Sequence, residues 1–421
     1  MPHTAGSECD AYGSRMTART LLAGVVVAGL VVAACQASRA TPETTLPGSS
    51  PAGPGTGIPE ASPARSPDLA RLRVSTSGWR TDFTKASVDL GDFRGGGPPK
   101  DGIPAIDAPK FESIDAARGW LADRTPVISL EVNGSARAYP LAILMWHEIV
   151  NDSLGGSPVV VTFCPLCNTA LAFERSFGGT THDFGTTGNL RYSDLVMYDR
   201  QTESWWQQAT GEAIVGDLLG THLRFLPAQI VSLGAFAEAH PDGDVLSRET
   251  GFLRDYGQNP YAGYDEVGSN PFLFEGVVDG RLAPKERVVT IGSGTDATAF
   301  PFSELRKKGV ATGTADGQSV VVFWAPGTAS ALDAGTIDDG EDIGATGVFL
   351  ASIDGNPVTF QHEGGEDAPI TDVETGSTWS ITGLATDGPL AGTQLDPVAH
   401  GNHFWFAWAA FSPETTIWTA P

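Results

Sequence analysis

Val159-Val160-Val161-Thr162-Phe163-Cys164-Pro165-Leu166-Cys167-Asn168-Thr169-Ala170-Leu171-Ala172-Phe173 decides how this chain is built. The β-branched run before Cys164 reads as a strand. After Cys167, Leu171, Phe173 and Phe177 alternate with period two until Gly178-Gly179 ends the run, which is a second strand and not a helix. The rest of the chain has the same texture, with 51 glycines and 29 prolines separating short apolar runs. That composition predicts a β-rich α+β fold of many short strands, mostly antiparallel, with a few short helices. The run Leu141–Val150, apolar almost all round, reads as a buried helix.

The strands also recur. Asp199-Arg-Gln-Thr202-Glu-Ser204-Trp-Trp206 reappears as Asp372-Val-Glu-Thr375-Gly-Ser377-Thr-Trp379, an offset of 173 (372 minus 199). Upstream, Val127, Pro140 and Leu144 match Val288, Pro301 and Leu305 at an offset of 161 (288 minus 127). Ordered matches at slowly drifting offsets predict two related tandem copies, residues 67–248 and 285–421, joined by a linker over 249–284. The first copy holds His147 and the cysteine pair. The second has Lys308 and Val320-Val-Val-Phe-Trp324-Ala-Pro-Gly in their places, so the recurring Asp-Thr-Ser-Trp hairpin reads as scaffold and the cysteine turn as chemistry.

The chain has four cysteines, and Cys9 and Cys35 fall outside the globular part. A disulfide between Cys164 and Cys167 would close too small a loop to add much stability. Strand, Cys-Pro-x-Cys, strand matches the knuckle of rubredoxins and zinc ribbons, where backbone amides curl around a thiolate-bound metal. A thioredoxin-like dithiol places its first cysteine at the start of a long helix instead. A knuckle supplies two ligands, and His147 is the nearest third, giving a Cys2His-type site of His147, Cys164 and Cys167. Glu148 is the candidate catalytic group, as a general base or as an orienter of a ligand. His182, His400 and His403 are further candidate ligands. Zinc and copper suit two thiolates and an imidazole, and iron fits with a fourth ligand.

Composition and the amino terminus limit the setting. A net charge of −24 lacks the clustered Lys and Arg that phosphate binding needs, which excludes nucleic acid as a partner. Residues 1–35 read as a lipoprotein signal, with Met16 offering a second start: a basic stretch, an apolar run Leu21–Ala34, and Val32-Ala33-Ala34 ahead of Cys35 as the acylated residue. The run of about 14 residues is shorter than the roughly 20 a membrane span requires. Residues 36–66, rich in Pro, Ser and Thr, read as a disordered tether. The expected location is the outer face of the cell membrane, reached by export and held by a lipid anchor, with a small-molecule substrate or a metal ion as the other partner.

Trp146-His-Glu-Ile-Val-Asn-Asp152, Val161-Thr-Phe-Cys-Pro-Leu-Cys-Asn168, Asp194-Leu-Val-Met-Tyr-Asp-Arg-Gln-Thr-Glu-Ser-Trp-Trp206 and Glu249-Thr-Gly-Phe252 through Pro260-Tyr261 resemble the prokaryotic domain-of-unknown-function family 3179. The likeness runs roughly from Gly102 to Trp418. It implies an exported protein and carries no catalytic assignment, so mechanism rests on the residues. They leave three readings open: a metal-binding enzyme or redox protein, a thiol-disulfide oxidoreductase using Cys164 and Cys167, and a non-catalytic metal- or ligand-binding lipoprotein.

Overall fold

Short antiparallel ladders account for most of the architecture. The computed structural model describes residues 67–363 and 365–420, which belong to one compact unit. The signal peptide, Cys35 and the tether lie outside the described residues. No helix among the described residues is long and apolar enough to cross a membrane.

From Pro126 onward the order is β1 (Pro126–Val132), β2 (Ser135–Pro140), α1 (Leu141–His147), β3 (Ile149–Leu154), β4 (Ser157–Cys164), β5 (Thr169–Glu174), β6 (Phe184–Arg191), β7 (Asp194–Asp199), β8 (Trp205–Gln207), β9 (Glu212–Val215), β10 (Ala228–Ser232) and α2 (Leu233–Ala239). After residues 249–284, which contain no helix or strand, come β11 (Arg287–Ile291), β12 (Thr298–Pro301), α3 (Phe302–Lys308), β13 (Val310–Ala315), β14 (Gln318–Ala325) and β15 (Ala345–Leu350). Then come β16 (Phe360–His362), β17 (Ile370–Asp372), β18 (Thr378–Trp379), β19 (Ala385–Asp387), β20 (Gly401–Phe404), α4 (Trp405–Phe411) and a last short strand, β21 (Thr416–Ile417). The helices are one to two turns long, too short to hold themselves together without the sheets they pack on.

Helix α1 is shorter than its apolar pattern predicts, stopping at His147. Glu148 leaves the helical region at φ +57°, and the β-branched pair Ile149-Val150 then joins Thr162 and Val161 in the β3–β4 ladder. In β4–β5 the register pairs Cys164 with Thr169, which makes the cysteine turn the tip of a hairpin.

Local geometry repeats where the sequence does. Pro140 and Pro301 precede seven-residue helices, and the residue after each helix donates its N–H to Leu144 O or Leu305 O at 2.7 Å. Trp206 Nε1 donates to Asp199 Oδ2 at 3.1 Å, and Trp379 Nε1 to Asp372 Oδ2 at 3.0 Å. Ser204 and Ser377 hydroxyls accept from Leu218 N and Leu390 N, each at 3.0 Å. The two stretches also contribute to one sheet and one core. One sheet runs β12, β11, β20, β5, β4, β3, so β20 lies between strands drawn from both, and one core cluster includes Phe163 and Phe173 alongside Phe323, Phe349 and Phe404.

Each buried indole N–H bonded to a carboxylate is a charge-assisted bond with no water to replace it. Trp206→Phe and Trp379→Phe are expected to lower unfolding free energy by about 2 kcal/mol each, and denaturant unfolding measures it. A loss under about 0.5 kcal/mol in both would show that the hairpins do not depend on these bonds.

Candidate metal centre

Two tight turns build the site. The first is Cys164-Pro165-Leu166-Cys167, where Asn168 at φ +50° sends the chain back into β5. The second is Tyr192-Ser193, a two-residue connection between β6 and β7 whose φ values of +53° and +64° are what a type I′ hairpin requires. This connection brings Asp194 to the cysteines. The thiol of Cys167 donates to Asp194 Oδ1 at 2.9 Å, and the thiol of Cys164 points at Ser193 O, 3.6 Å away. The ligand atoms of Cys164, Cys167 and Asp194 lie within 4.8 Å of one another, and both thiols are free.

The surroundings fix these groups in place. Asp194 Oδ2 accepts from Gln207 Nε2 (2.6 Å) and from the Ala209 amide (2.9 Å), so the carboxylate is oriented by β8 and the turn beyond it. Phe404 N–H donates to Cys167 O at 2.8 Å, and the Tyr264 hydroxyl donates to Leu166 O at 2.9 Å. Ser193 Oγ donates to Phe272 O at 2.6 Å. The 249–284 segment is therefore a strap across the cysteine turn, with Tyr256, Tyr261 and Tyr264 packed against the core.

Burial dominates the electrostatics. Cys164 and Cys167 are 1% and 0% exposed, and desolvation pushes both thiols up, Cys167 the further because Cys164 and Asp194 add to it. Burial lifts the Asp194 carboxyl to about 6 against the hydrogen bonds it accepts. Burial, followed by the charge of Asp194, lifts Glu148 to about 8. No lysine or arginine is among the main influences on any of the four. A cation is the group that reverses all these shifts at once.

The structure brings a different third residue to the cysteines. His147 is not in the cluster; Asp194 is. His147 ends α1 with Nδ1–H donating to Pro104 O at 2.7 Å, which leaves Nε2 to accept from the Tyr256 hydroxyl, also at 2.7 Å. Both ring nitrogens are thereby used. His182 stacks on Phe177 at 4.0 Å with Nδ1 3.4 Å from Asp199 Oδ1. His400 and His403 lie at and in β20 and not on an exposed turn: His400 Nδ1–H donates to Val398 O at 2.8 Å, and His403 meets the Thr169 hydroxyl at 2.9 Å. None of the three belongs to the cluster. Asp194 carried one signal in the sequence, a carboxylate opening the apolar strand Leu195-Val-Met-Tyr198. A carboxylate there, three residues after Arg191, reads equally as a turn residue.

The family model for proteins of unknown function DUF3179 matches residues 100–415. The chain belongs to the DUF3179 family. No curated protein and no solved structure matches this DUF3179 member. Its knuckle, its strap and Asp194 all fall inside the matched region.

In the metal-free DUF3179 protein, Glu148 binds its proton more tightly folded than unfolded. Its contribution to stability is complete below about 4.5 and is lost as pH rises through about 8. Buried His400 and His403, lowered to about 4 and about 3, act in the opposite sense and at lower pH, so the comparison must be with a variant. Glu148→Gln is expected to gain on wild type in melting temperature as pH rises from 4.5 to 8, measured in chelator. A difference that stays constant with pH contradicts the buried carboxyl described here.

Proposed function

We propose that this DUF3179 protein is a metal-binding protein whose cation is held by Cys164, Cys167 and Asp194, and that the centre works as an enzyme site. The observation that carries this reading is the convergence of two thiols and a carboxylate within 4.8 Å of one another, oriented by neighbouring strands and, among the described residues, with no salt bridge to a basic side chain. Three protein ligands are the number a catalytic zinc site uses, with a small molecule taking the fourth position. Zinc suits the mixed sulfur and oxygen donors; copper and iron are the alternatives. A thiol-disulfide exchange role fits less well. Attack needs an accessible thiolate, whereas both sulfurs are buried, both thiols are pushed up, and a hairpin follows where a helix amino terminus would be needed.

We read the rest of the protein around that centre. The signal sequence and Cys35 support an exported protein anchored by lipid at the outer face of the membrane. The matching helix caps and Asp-Trp hairpins support descent from a duplicated unit in which one copy kept a site. In that reading β11 to α4 is a frame that supplies Phe404 and the strap's far anchorage, and the substrate is a small molecule.

The test is metal content after purification of residues 67–421 from defined medium without chelators. One equivalent of a transition metal is expected in wild type and in His147→Gln. Cys164→Ser, Cys167→Ser and Asp194→Asn are expected to retain less than about a tenth of it, since each removes one of three ligands. Equal metal content in all five proteins, or none in wild type, would sink the reading.

A further inference from the structure

The strap over residues 249–284 leaves apolar side chains in water. Of the eight large hydrophobic residues exposed among the described residues, five lie in it: Phe252, Leu253, Val267, Phe272 and Val277. Single exposed apolar side chains are ordinary on a protein surface and need no account. Five in one short segment is a concentration that packing does not explain. Val277 is 94% exposed and Phe272 59%, so folding gains nothing from either.

The far end of the strap is tied to the place where the described chain begins. Glu275, between Phe272 and Val277, pairs with Arg73 at 3.5 Å and with Arg94. Arg73 stands six residues after Pro67, the first described residue, and Leu69 between them is also exposed. The neighbouring carboxylates have other partners: Asp92 has Arg191 at 3.6 Å and the Tyr192 hydroxyl at 2.9 Å, and Asp279 has Arg281 at 2.7 Å. Two arginines therefore share Glu275, and this point departs in sign from a chain of net charge −24. Leu69, Phe272 and Val277 all lie within a few residues of that ion-paired cluster. On its inner side the same stretch bears on the cysteine site, because Ser193 Oγ donates to Phe272 O at 2.6 Å and Ser193 precedes Asp194.

Resting on the lipid-anchored reading above, we propose that this face lies on the phospholipid surface to which the chain is anchored. Phe272, Val277 and Leu69 enter the boundary between headgroups and acyl chains, and Arg73 meets headgroup phosphates. Apolar side chains that reach this boundary leave water, and a guanidinium beside them finds phosphate oxygens to pair with. A lipid attachment by itself leaves a domain free to turn, whereas a second contact fixes which face meets the bilayer. In this orientation the cover of the cysteine turn is the part of the protein nearest the lipid.

The experiment uses residues 67–421 held to vesicles by an amino-terminal polyhistidine tag on a nickel-chelating lipid, so that it does not depend on Cys35. An environment-sensitive fluorophore is placed on Val277→Cys and, as reference, on Val373→Cys, an exposed position just after β17. Wild type, whose two thiols in this region are buried, is the unlabelled control. In vesicles of phosphatidylcholine and phosphatidylglycerol, brominating the acyl chains is expected to cut emission at 277 by about half and at 373 by less than about a tenth, since bromine quenches only a label that reaches the acyl boundary. Quenching at 277 no greater than at 373 overturns the proposal. So does a change of emission at 277 that follows protein concentration without vesicles, which makes a second copy of the chain the occupant. Cys35→Ala in the full chain tests the anchor separately. Its release from the membrane fraction is expected, and its retention there sinks the lipid-anchored reading whatever the vesicles show.

Discussion

Four side chains that carry negative charge when ionised, Cys164, Cys167, Asp194 and Glu148, are buried in one neighbourhood with no lysine or arginine among their main influences. A folded protein holds such a set in one of two ways. The groups stay protonated, which is what their raised pKa values express, or a cation neutralises them. The first is a cost with no compensating gain in packing, because an apolar side chain would fill the same space without desolvating a polar group. The second turns the same burial into affinity, since a low dielectric strengthens every bond from thiolate or carboxylate to metal.

The scaffold serves this constraint. The knuckle is tied at Cys167 O by the Phe404 amide and at Leu166 O by the Tyr264 hydroxyl, so β20 and the 249–284 strap both bear on the cysteine turn. The Tyr192-Ser193 connection holds Asp194 against the sulfurs, and Gln207 with the Ala209 amide orients the carboxylate. These contacts come from elements far apart in the chain, which is why the centre depends on the whole folded unit and not on one loop. Glu148 adds a strained backbone, worth on the order of 1 to 3 kcal/mol, at a point where stability alone favours glycine.

Much of the fold was legible because it is local. The strand, knuckle and strand over residues 157–174 and the paired hairpins at Asp199 and Asp372 follow from period-two patterning, β-branched runs and turn residues, and a helix after Pro140 from its apolar run, though not its end at His147. The third ligand was not legible in that way. Asp194 lies 27 residues beyond Cys167 and meets it only through the register of β6 with β7 and the placement of that hairpin against the knuckle. His147 was the nearer choice in sequence, but it is the last residue of α1, and the imidazole is turned to Pro104 and Tyr256. Residues 249–284 read as a linker; their role as a cover for the cysteine turn depends on contacts of Tyr264 with Leu166 and of the strap's tyrosines with the core that spacing does not encode.

X-ray absorption at the metal edge, on protein purified without chelators, tests the central claim most directly. A centre built from Cys164, Cys167 and Asp194 predicts two sulfur neighbours at about 2.3 Å and oxygen neighbours at about 2.0 to 2.2 Å, with no imidazole signature. A first shell without sulfur, or one containing histidine, would contradict it.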